Sequence, residues 1–179
     1  MPDFRVYTPN ALPDALEITL SADESHHLVV VNRCQRGDPV VAFDGRGREW
    51  RCECLDAVKS AARLRVHTTM QAAPLAHAIT LAQSLPKGST MDEIVRQATE
   101  LGAARIVPLI TERTQVHLDG ERAEKKVAKW RTTAIEAAKQ CGNPWVPEIT
   151  AVHTLDDLLN ALGRTESASD PPLERGRLG

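Results

Sequence analysis

Two different hydrophobic patterns divide the chain. Up to about residue 73, the apolar positions fall in short runs, several of which alternate with polar residues as in half-buried strands. The runs 38–43 and 49–55 flank a glycine-containing turn, which indicates a β-hairpin, and residues 62–67 alternate throughout. We therefore predict a small antiparallel barrel over residues 1–73. Residues 25–31 fit a short helix or an apolar strand, and periodicity does not decide between them.

The second pattern, over residues 74–179, alternates strand-like and helix-like segments. Residues 78–82 and 105–110 are apolar runs typical of covered strands, and Pro108 in the second run predicts an edge or irregular position. Thr90–Glu93 has the sequence of a capping box, and Gly102 ends the helix that follows it. This order of elements predicts an α/β domain.

Helical spacing continues further along the chain. Asp119 would cap a long second helix, and a third helix opens at Thr154–Asp157. The predicted apolar faces of the first two helices are Met91, Ile94, Val95, Ala98 and Leu101, and then Val127, Trp130, Ala134, Ala137 and Cys141.

Composition narrows the class of protein. Of the 179 residues, 42% are hydrophobic and 26% charged, which is usual for a globular protein, and no apolar run approaches the ~20 residues of a membrane helix. The first residues lack a signal-peptide pattern, so we expect a cytoplasmic location without membrane association. The four cysteines lack zinc-site spacing, which predicts no metal. Cys52 and Cys54 would share one face of a strand.

Candidate chemistry lies where the predicted strands end. Thr111, Glu112 and Arg113 directly follow an apolar strand, and in open α/β sheets ligands bind at the carboxyl ends of strands. An ion pair that orders a loop is an equal alternative. Lys87 lies in a loop with Pro86 and Gly88, where a phosphate or only solvent would face it.

Other polar groups are less specific. The pairs Gln97/Glu100 and Glu136/Gln140 lie on helices, where each pair also fits a solvated face. His26 and His27 favour a structural role because adjacent side chains point apart. Arginines and aromatic residues of the first half form a weak candidate RNA surface, because the net charge is −2 and acidic residues lie among them.

These residues together resemble the RsmE family, SPOUT-class methyltransferases that methylate N3 of a uridine in small-subunit ribosomal RNA. Their order and spacing make the resemblance specific over residues 4–150. It is carried by Arg5-Val6-Tyr7, His26-His27-Leu28, Arg33, Gly37-Asp38, Phe43-Asp44-Gly45, Lys87, Gln97, Glu100-Leu101-Gly102, Pro108, Thr111-Glu112-Arg113, Trp130, Glu136-Ala137, Gln140 and Pro147-Glu148.

The resemblance implies an N-terminal PUA-like barrel followed by a SPOUT domain with a carboxyl-terminal knot, a homodimer formed through that knot, and S-adenosylmethionine as methyl donor. It implies catalytic roles for Glu112 and Arg113. Ribosomal RNA is the implied partner, and the residues implied to bind it are Arg5, Arg33, Lys87 and Gln140.

The chain departs from the family in two places. The family often carries Arg after Gln140-Cys141-Gly142, whereas this chain has Asn143-Pro144-Trp145. The family's Gly-Pro-Glu-Gly-Gly turn and Arg-Thr-Glu-Thr segment, which bind the donor and tie the knot, have no counterpart here. We therefore expect an incomplete SPOUT domain, leave the cofactor-binding residues unassigned and do not expect the knot dimer. The alternative is a catalytically inactive RNA-binding remnant.

Overall fold

The computed structural model describes residues 4–74, 76–112, 114 and 120–167. The first half forms one curled sheet in the strand order β1–β3–β4–β5–β2. Strand β1 pairs in parallel with β3, so the prediction of a wholly antiparallel barrel is wrong at this edge, while the other pairs are antiparallel. The strands are β1 (Phe4–Tyr7), β2 (Glu17–Thr19), β3 (Pro39–Phe43), β4 (Arg48–Asp56) and β5 (Arg63–Gln71).

The predicted hairpin is confirmed as β3 and β4, with Phe43 opposite Glu49 at the turn. The Asp44 carboxylate shapes this turn by accepting hydrogen bonds from the backbone N–H of Arg46 at 2.7 Å and of Arg48 at 3.0 Å. Gly47 adopts a φ of +89°, which side chains disfavour.

The core of the first sheet is formed by its inward-facing apolar residues, including the fully buried Trp50 and Leu64. Cys52 and Cys54 are both buried on the same face, as predicted. The segment that periodicity left open is helical: α1 (Ala22–His26) is capped by Ser21 and continues into a π-helical turn (His27–Val31).

The second sheet is parallel and confirms both strands predicted in this half. It consists of β6 (Thr80–Ser84), β7 (Arg105–Ile110), β8 (Glu148–Ile149) and β9 (His153–Thr154). Strand β7 is central, because β6 pairs with one side and β8 and β9 pair with the other. The first sheet ends at Gln71 and the second begins at Thr80, while a domain division at residue 73 stays a prediction.

Pro108 lies within the central strand, so the edge position is wrong and the irregular position is correct. The carbonyl of Ile106 accepts from the N–H of Thr150 on the β8 side of β7. Residue 108 faces the same side by alternation. On that side β8 pairs only with Arg105 and Ile106, and β9 pairs only from Leu109 onward. The missing N–H of proline therefore falls in the interruption between two short strands.

Helices α2 (Thr90–Glu100), α3 (Gly120–Cys141) and α4 (Leu155–Ser167) complete the described part of the second half. Helices α2 and α3 bury most of their predicted apolar faces around Trp130. Leu101 is an exception with 83% of its surface exposed, because the helix ends there, and Cys141 is exposed for the same reason. Gly102 ends α2 as predicted, with a φ of +83°. Asp119 lies outside the described residues.

The predicted capping box at Thr90 is wrong. Ser89 is the N-cap of α2, it makes no side-chain capping bond, and the Glu93 carboxylate pairs with Arg96 instead. The predicted start of the third helix is confirmed by a reciprocal cap. The Thr154 hydroxyl accepts from the N–H of Asp157 at 3.1 Å, and the Asp157 carboxylate accepts from the N–H of Thr154 at 3.3 Å.

Two sets of contacts connect the halves. Lys139 on α3 forms ion pairs with Glu24 of the first half at 2.5 Å and with Glu136 at 2.8 Å. The β3–β4 turn pairs with the segment after α3, where the N–H of Gly47 donates to Pro144 at 3.1 Å. The carboxyl-terminal end of α3 is therefore held against the first sheet. No helix in the described part of the chain is long and apolar enough to span a membrane.

Candidate functional site

The candidate site is at the carboxyl edge of the second sheet. Three hydroxyl groups, from Ser84 at the end of β6 and from Thr111 and Thr114 after β7, lie 3.1 Å from one another in each pair. The Thr114 hydroxyl also accepts from the N–H of Thr111 at 2.8 Å. These bonds order the chain as it leaves β7, and they hold Glu112 at this edge.

A crevice of about 640 Å³ opens beside these hydroxyls. Strand β7 contributes Ile110, and the segment that follows it contributes Thr111 and Glu112, whereas β9 and the first turn of α4 contribute Thr154–Asp156. Its two carboxylates can accept hydrogen bonds from hydroxyl, ammonium or ring N–H groups. Apolar carbons of Ile110 and of α4 complete the lining, a mixture typical of small-molecule sites.

The cap at the start of α4, formed by Thr154 and Asp157, keeps negative charge near this crevice. The Thr154 hydroxyl and backbone N–H both donate to the Asp157 carboxylate, and these bonds hold the pKa of Asp157 below its ordinary value. Arg113, the predicted partner of Glu112 in catalysis, lies outside the described residues. Among the residues that the structure describes, no group of three or more His, Cys, Asp or Glu side chains could hold a metal ion.

The predicted RNA-binding residues are divided between two places. Arg5 on β1 and Gln140 on α3 line the same open cleft, of about 820 Å³, between the first sheet and α3. Arg5 is only 16% exposed, pairs with Glu49 at 2.7 Å, and lies 5.0 Å from the centre of the Phe43 ring. Its stacked, paired guanidinium is therefore held in place at the wall of the cleft.

Lys87 and Arg33 lie apart from this cleft. Lys87 is exposed in the loop between β6 and α2, at the carboxyl edge that also carries Glu112. Arg33 is exposed beyond the π-helical turn, with a φ of +59° that is unusual for a residue with a side chain.

Comparison with known families shows which family the chain belongs to. A family model described as an RNA methyltransferase domain matches residues 73–169. The chain belongs to the RNA methyltransferase family. A second model, described as an RNA methyltransferase PUA domain, matches residues 20–66. The crevice, with both of its carboxylates, thus lies inside the methyltransferase match, and the predicted PUA-like sheet followed by a SPOUT-type domain is confirmed.

Individual RNA methyltransferases support the predicted RsmE resemblance. The ribosomal RNA small subunit methyltransferase E of Synechocystis is 34% identical over 162 residues, which cover 90% of this chain and 52% of the relative. The Bacillus subtilis protein of that name is 31% identical over 87% of this chain and 61% of its own length. The chain therefore spans about half to three fifths of the length of these relatives.

Solved structures agree with the fold. A Legionella pneumophila protein solved with bound S-adenosylmethionine matches with a TM-score of 0.82 and 31% identity, over 89% of this chain and 66% of that one. The ribosomal RNA small subunit methyltransferase E of Neisseria gonorrhoeae, bound to S-adenosyl methionine, matches with a TM-score of 0.77 and 28% identity over 96% of this chain and 67% of that one.

Sequence reasoning missed several residues that line the crevice and the cleft. Asp156 joins the crevice because β9 pairs with β7, and its capping sequence indicated a helix start but not this neighbour. Arg96, Lys129 and Lys139 line the cleft with Gln140. The spacing of Lys129, Glu136 and Gln140 along one helical face was the available signal.

Proposed function

We propose that this protein methylates N3 of a uridine in small-subunit ribosomal RNA in the cytoplasm, with S-adenosylmethionine as the methyl donor. The observation that carries the proposal is the crevice at the carboxyl ends of β7 and β9, inside the segment that matches the RNA methyltransferase domain. A PUA-type sheet precedes it in the same chain, which supports RNA as the substrate class. The relatives named above act on ribosomal RNA by their names.

The crevice residues fit the polar parts of the donor. The Asp156 carboxylate suits ribose hydroxyls or an ammonium group, and the carbons of Ile110 and Leu155 suit an adenine face. The donor supplies a methyl group on a positively charged sulfur. We assign no individual residue a contact with the donor.

Methylation at N3 requires the loss of one proton. A bond forms between N3 and the methyl carbon while the bond from that carbon to sulfur breaks, and the N3 proton leaves to a base. Glu112 is our candidate for that base because it lies at the crevice and carries an acceptor. Arg113 is our candidate for a cation that holds the uridine or its phosphate.

Four residues are our candidates for RNA contacts. Arg5 and Gln140 share the cleft between the halves, Lys87 lies at the carboxyl edge, and Arg33 is exposed on the first half. A domain boundary near residue 73 would let the first half act as the RNA-docking unit. The homodimer that the family resemblance implies is not part of this proposal, in keeping with the expectation drawn from the sequence.

The test combines cofactor binding with methyl transfer. Calorimetric titration with S-adenosylmethionine measures the first, and transfer of a labelled methyl group to small ribosomal subunits that lack the N3 mark measures the second. Glu112→Gln should lower kcat by about 10²-fold or more and leave donor affinity unchanged, because only the base is lost. Glu121→Gln, on the first turn of α3, is the matched control and should retain activity.

The outcomes separate the two candidate functions. Donor binding with transfer that depends on Glu112 supports the enzyme. RNA binding by a folded sample, with neither donor binding nor transfer, would instead support the inactive RNA-binding alternative. Unchanged transfer by Glu112→Gln would remove that residue from the reaction.

A further inference from the structure

The cleft between the first sheet and α3 has a marked charge pattern. Four cationic side chains line it, and Glu136 is the one carboxylate among its lining residues. The cations come from three elements: Arg5 from β1, Arg96 from α2, and Lys129 and Lys139 from α3. Apart from Phe4 and Ala137, the remaining lining groups are hydroxyls, amides and an imidazole. The four cations of this surface suit a polyanion such as a nucleic-acid backbone.

The cleft has a direction. Its α3 wall is one helical face from Lys129 to Gln140, a length of about 16 Å at the helical rise per residue. Helices that follow parallel strands run back from the carboxyl edge of the sheet, so α2 and α3 both begin at that edge. Lys129 contacts Asp92 in the first turn of α2. The Lys129 end of the cleft therefore opens toward the carboxyl edge, and the Gln140 end opens toward the first sheet.

The cleft cations differ in how firmly they are held. Lys139 is 9% exposed and is bound by Glu24 and Glu136, so it holds the two halves together. Arg96 and Lys129 are 42% and 58% exposed, and their carboxylate partners on α2 are from 24% to 53% exposed. Exposed ion pairs contribute little to stability, so a phosphate can replace the carboxylates at small cost.

We propose that this cleft is the track along which the single-stranded RNA on one side of the target uridine enters, with Arg96 and Lys129 binding its phosphates. This rests on the proposed function, because a uridine accessible at N3 must be unpaired and the strand leading to it is then single. The track connects Arg5 and Gln140 with the edge that carries Lys87 and Glu112. RNA bound there contacts both halves of the chain.

The experiment measures RNA affinity as a function of salt. The probe is a fluorescein-labelled single-stranded uridine oligonucleotide, and its binding to the whole chain is followed by fluorescence anisotropy from low to moderate salt. The cleft variant is Arg96→Gln/Lys129→Gln. The matched control is Arg105→Gln/Lys125→Gln, which removes one arginine and one lysine from exposed ion pairs outside the cleft.

We expect a loss of RNA affinity in the cleft variant alone. Each lost phosphate contact should reduce the slope of log affinity against log salt by about 0.7, so two contacts reduce it by about 1.4. Affinity at 0.1 M salt should then fall roughly 25-fold, whereas the control variant should stay within about twofold of the parent chain. Thermal melting by circular dichroism checks that both variants are folded.

Two results would overturn the track. One is an equal loss of RNA affinity in the cleft and control variants, and the other is no binding of the oligonucleotide by the parent chain. Calorimetry with S-adenosylmethionine distinguishes this failure from failure of the proposed function. If S-adenosylmethionine binds but RNA affinity is the same in the cleft and control variants, only the track proposal fails. If RNA affinity falls in the cleft variant but S-adenosylmethionine does not bind, only the methyl-transfer proposal fails.

Discussion

The two halves of the molecule expose apolar residues in different places: Leu12 and Leu16 of the first half lie outside its helices and strands, whereas those of α4 lie along one helix. In the first half, the curled sheet surrounds Trp50 and Leu64 completely. In the second half, α2 and α3 bury a comparable core around Trp130, but α4 leaves Leu155, Leu159 and Leu162 from 44% to 56% exposed. The candidate crevice lies at the start of α4, beside this loosely packed helix.

This difference separates structural from functional parts of the chain. Densely packed elements, namely the first sheet and the α2–α3 pair, determine where the two halves lie. The loops at strand ends and the first turn of α4 carry hydroxyls and carboxylates with fewer packing constraints. Regions of low local packing are the ones in which binding segments are commonly found.

The largest expected effect tests the core of the first half. Trp50→Ala removes a fully buried indole, so it should lower the free energy of unfolding by about 3–5 kcal/mol in urea denaturation. Leu159→Ala on the exposed face of α4 is the comparison, with an expected change within about 0.5 kcal/mol. Equal losses in the two variants would contradict the contrast between the halves.

A second effect tests the contact between the halves at the β3–β4 turn. Gly47→Ala should lower the free energy of unfolding by about 2–4 kcal/mol, because its φ is +89° and a Cβ would lie 2.3 Å from the Trp145 ring. Gly37→Ala has a similar φ of +91° with open space around it, so it should show the backbone cost alone, about 1–2 kcal/mol. Identical results would mean that the Trp145 contact is unimportant.

A third, smaller effect tests the second connection. Glu24→Gln should lower the free energy of unfolding by about 1–3 kcal/mol, because Lys139 keeps its charge in a largely buried place and loses one of its two carboxylates. Glu121→Gln removes the partner of the exposed Lys125 and should change stability by less than about 0.5 kcal/mol. A loss that disappears in moderate salt would indicate a solvated pair instead.

The smallest effect concerns reactivity and leaves stability unchanged. Burial raises the pKa of Cys34 to about 12 and that of Cys52 to about 11, so neither thiol should react with iodoacetamide at pH 8 in the folded chain. Cys141 at the end of α3 is exposed and should be alkylated. Mass spectrometry of native and urea-unfolded samples checks this, and rapid labelling of Cys34 in the native sample would contradict a closed first core.

Much of the fold could be predicted from the sequence because its signals are local. The hairpin turn at Asp44, the buried strand before Thr111 and the cap at Thr154 each depend on residues a few positions apart. Pairs distant in sequence gave no such signal: Arg5 and Glu49 are separated by 44 positions, and only the parallel pairing of β1 with β3 brings their strands into one sheet.

The candidate site was predictable to the same extent. The rule that ligands bind at carboxyl ends of strands located Glu112. Asp156 was missed because β9 is only two residues long and has no pattern of its own. Lys129 and Arg96 have the pattern of ordinary solvated helix residues, and only the packing of α2 on α3 and of α3 on β1 places them in one cleft.

Pro108 also restricts which alternative pairings the second sheet can adopt. Parallel strands with apolar runs can slide along each other by two residues and still bury the same faces. A slide of β8 toward the carboxyl edge would set an acceptor opposite the proline, where there is no N–H to donate. The proline thereby acts as a register stop for the sheet, and Thr154 stays opposite Ile110 at the crevice.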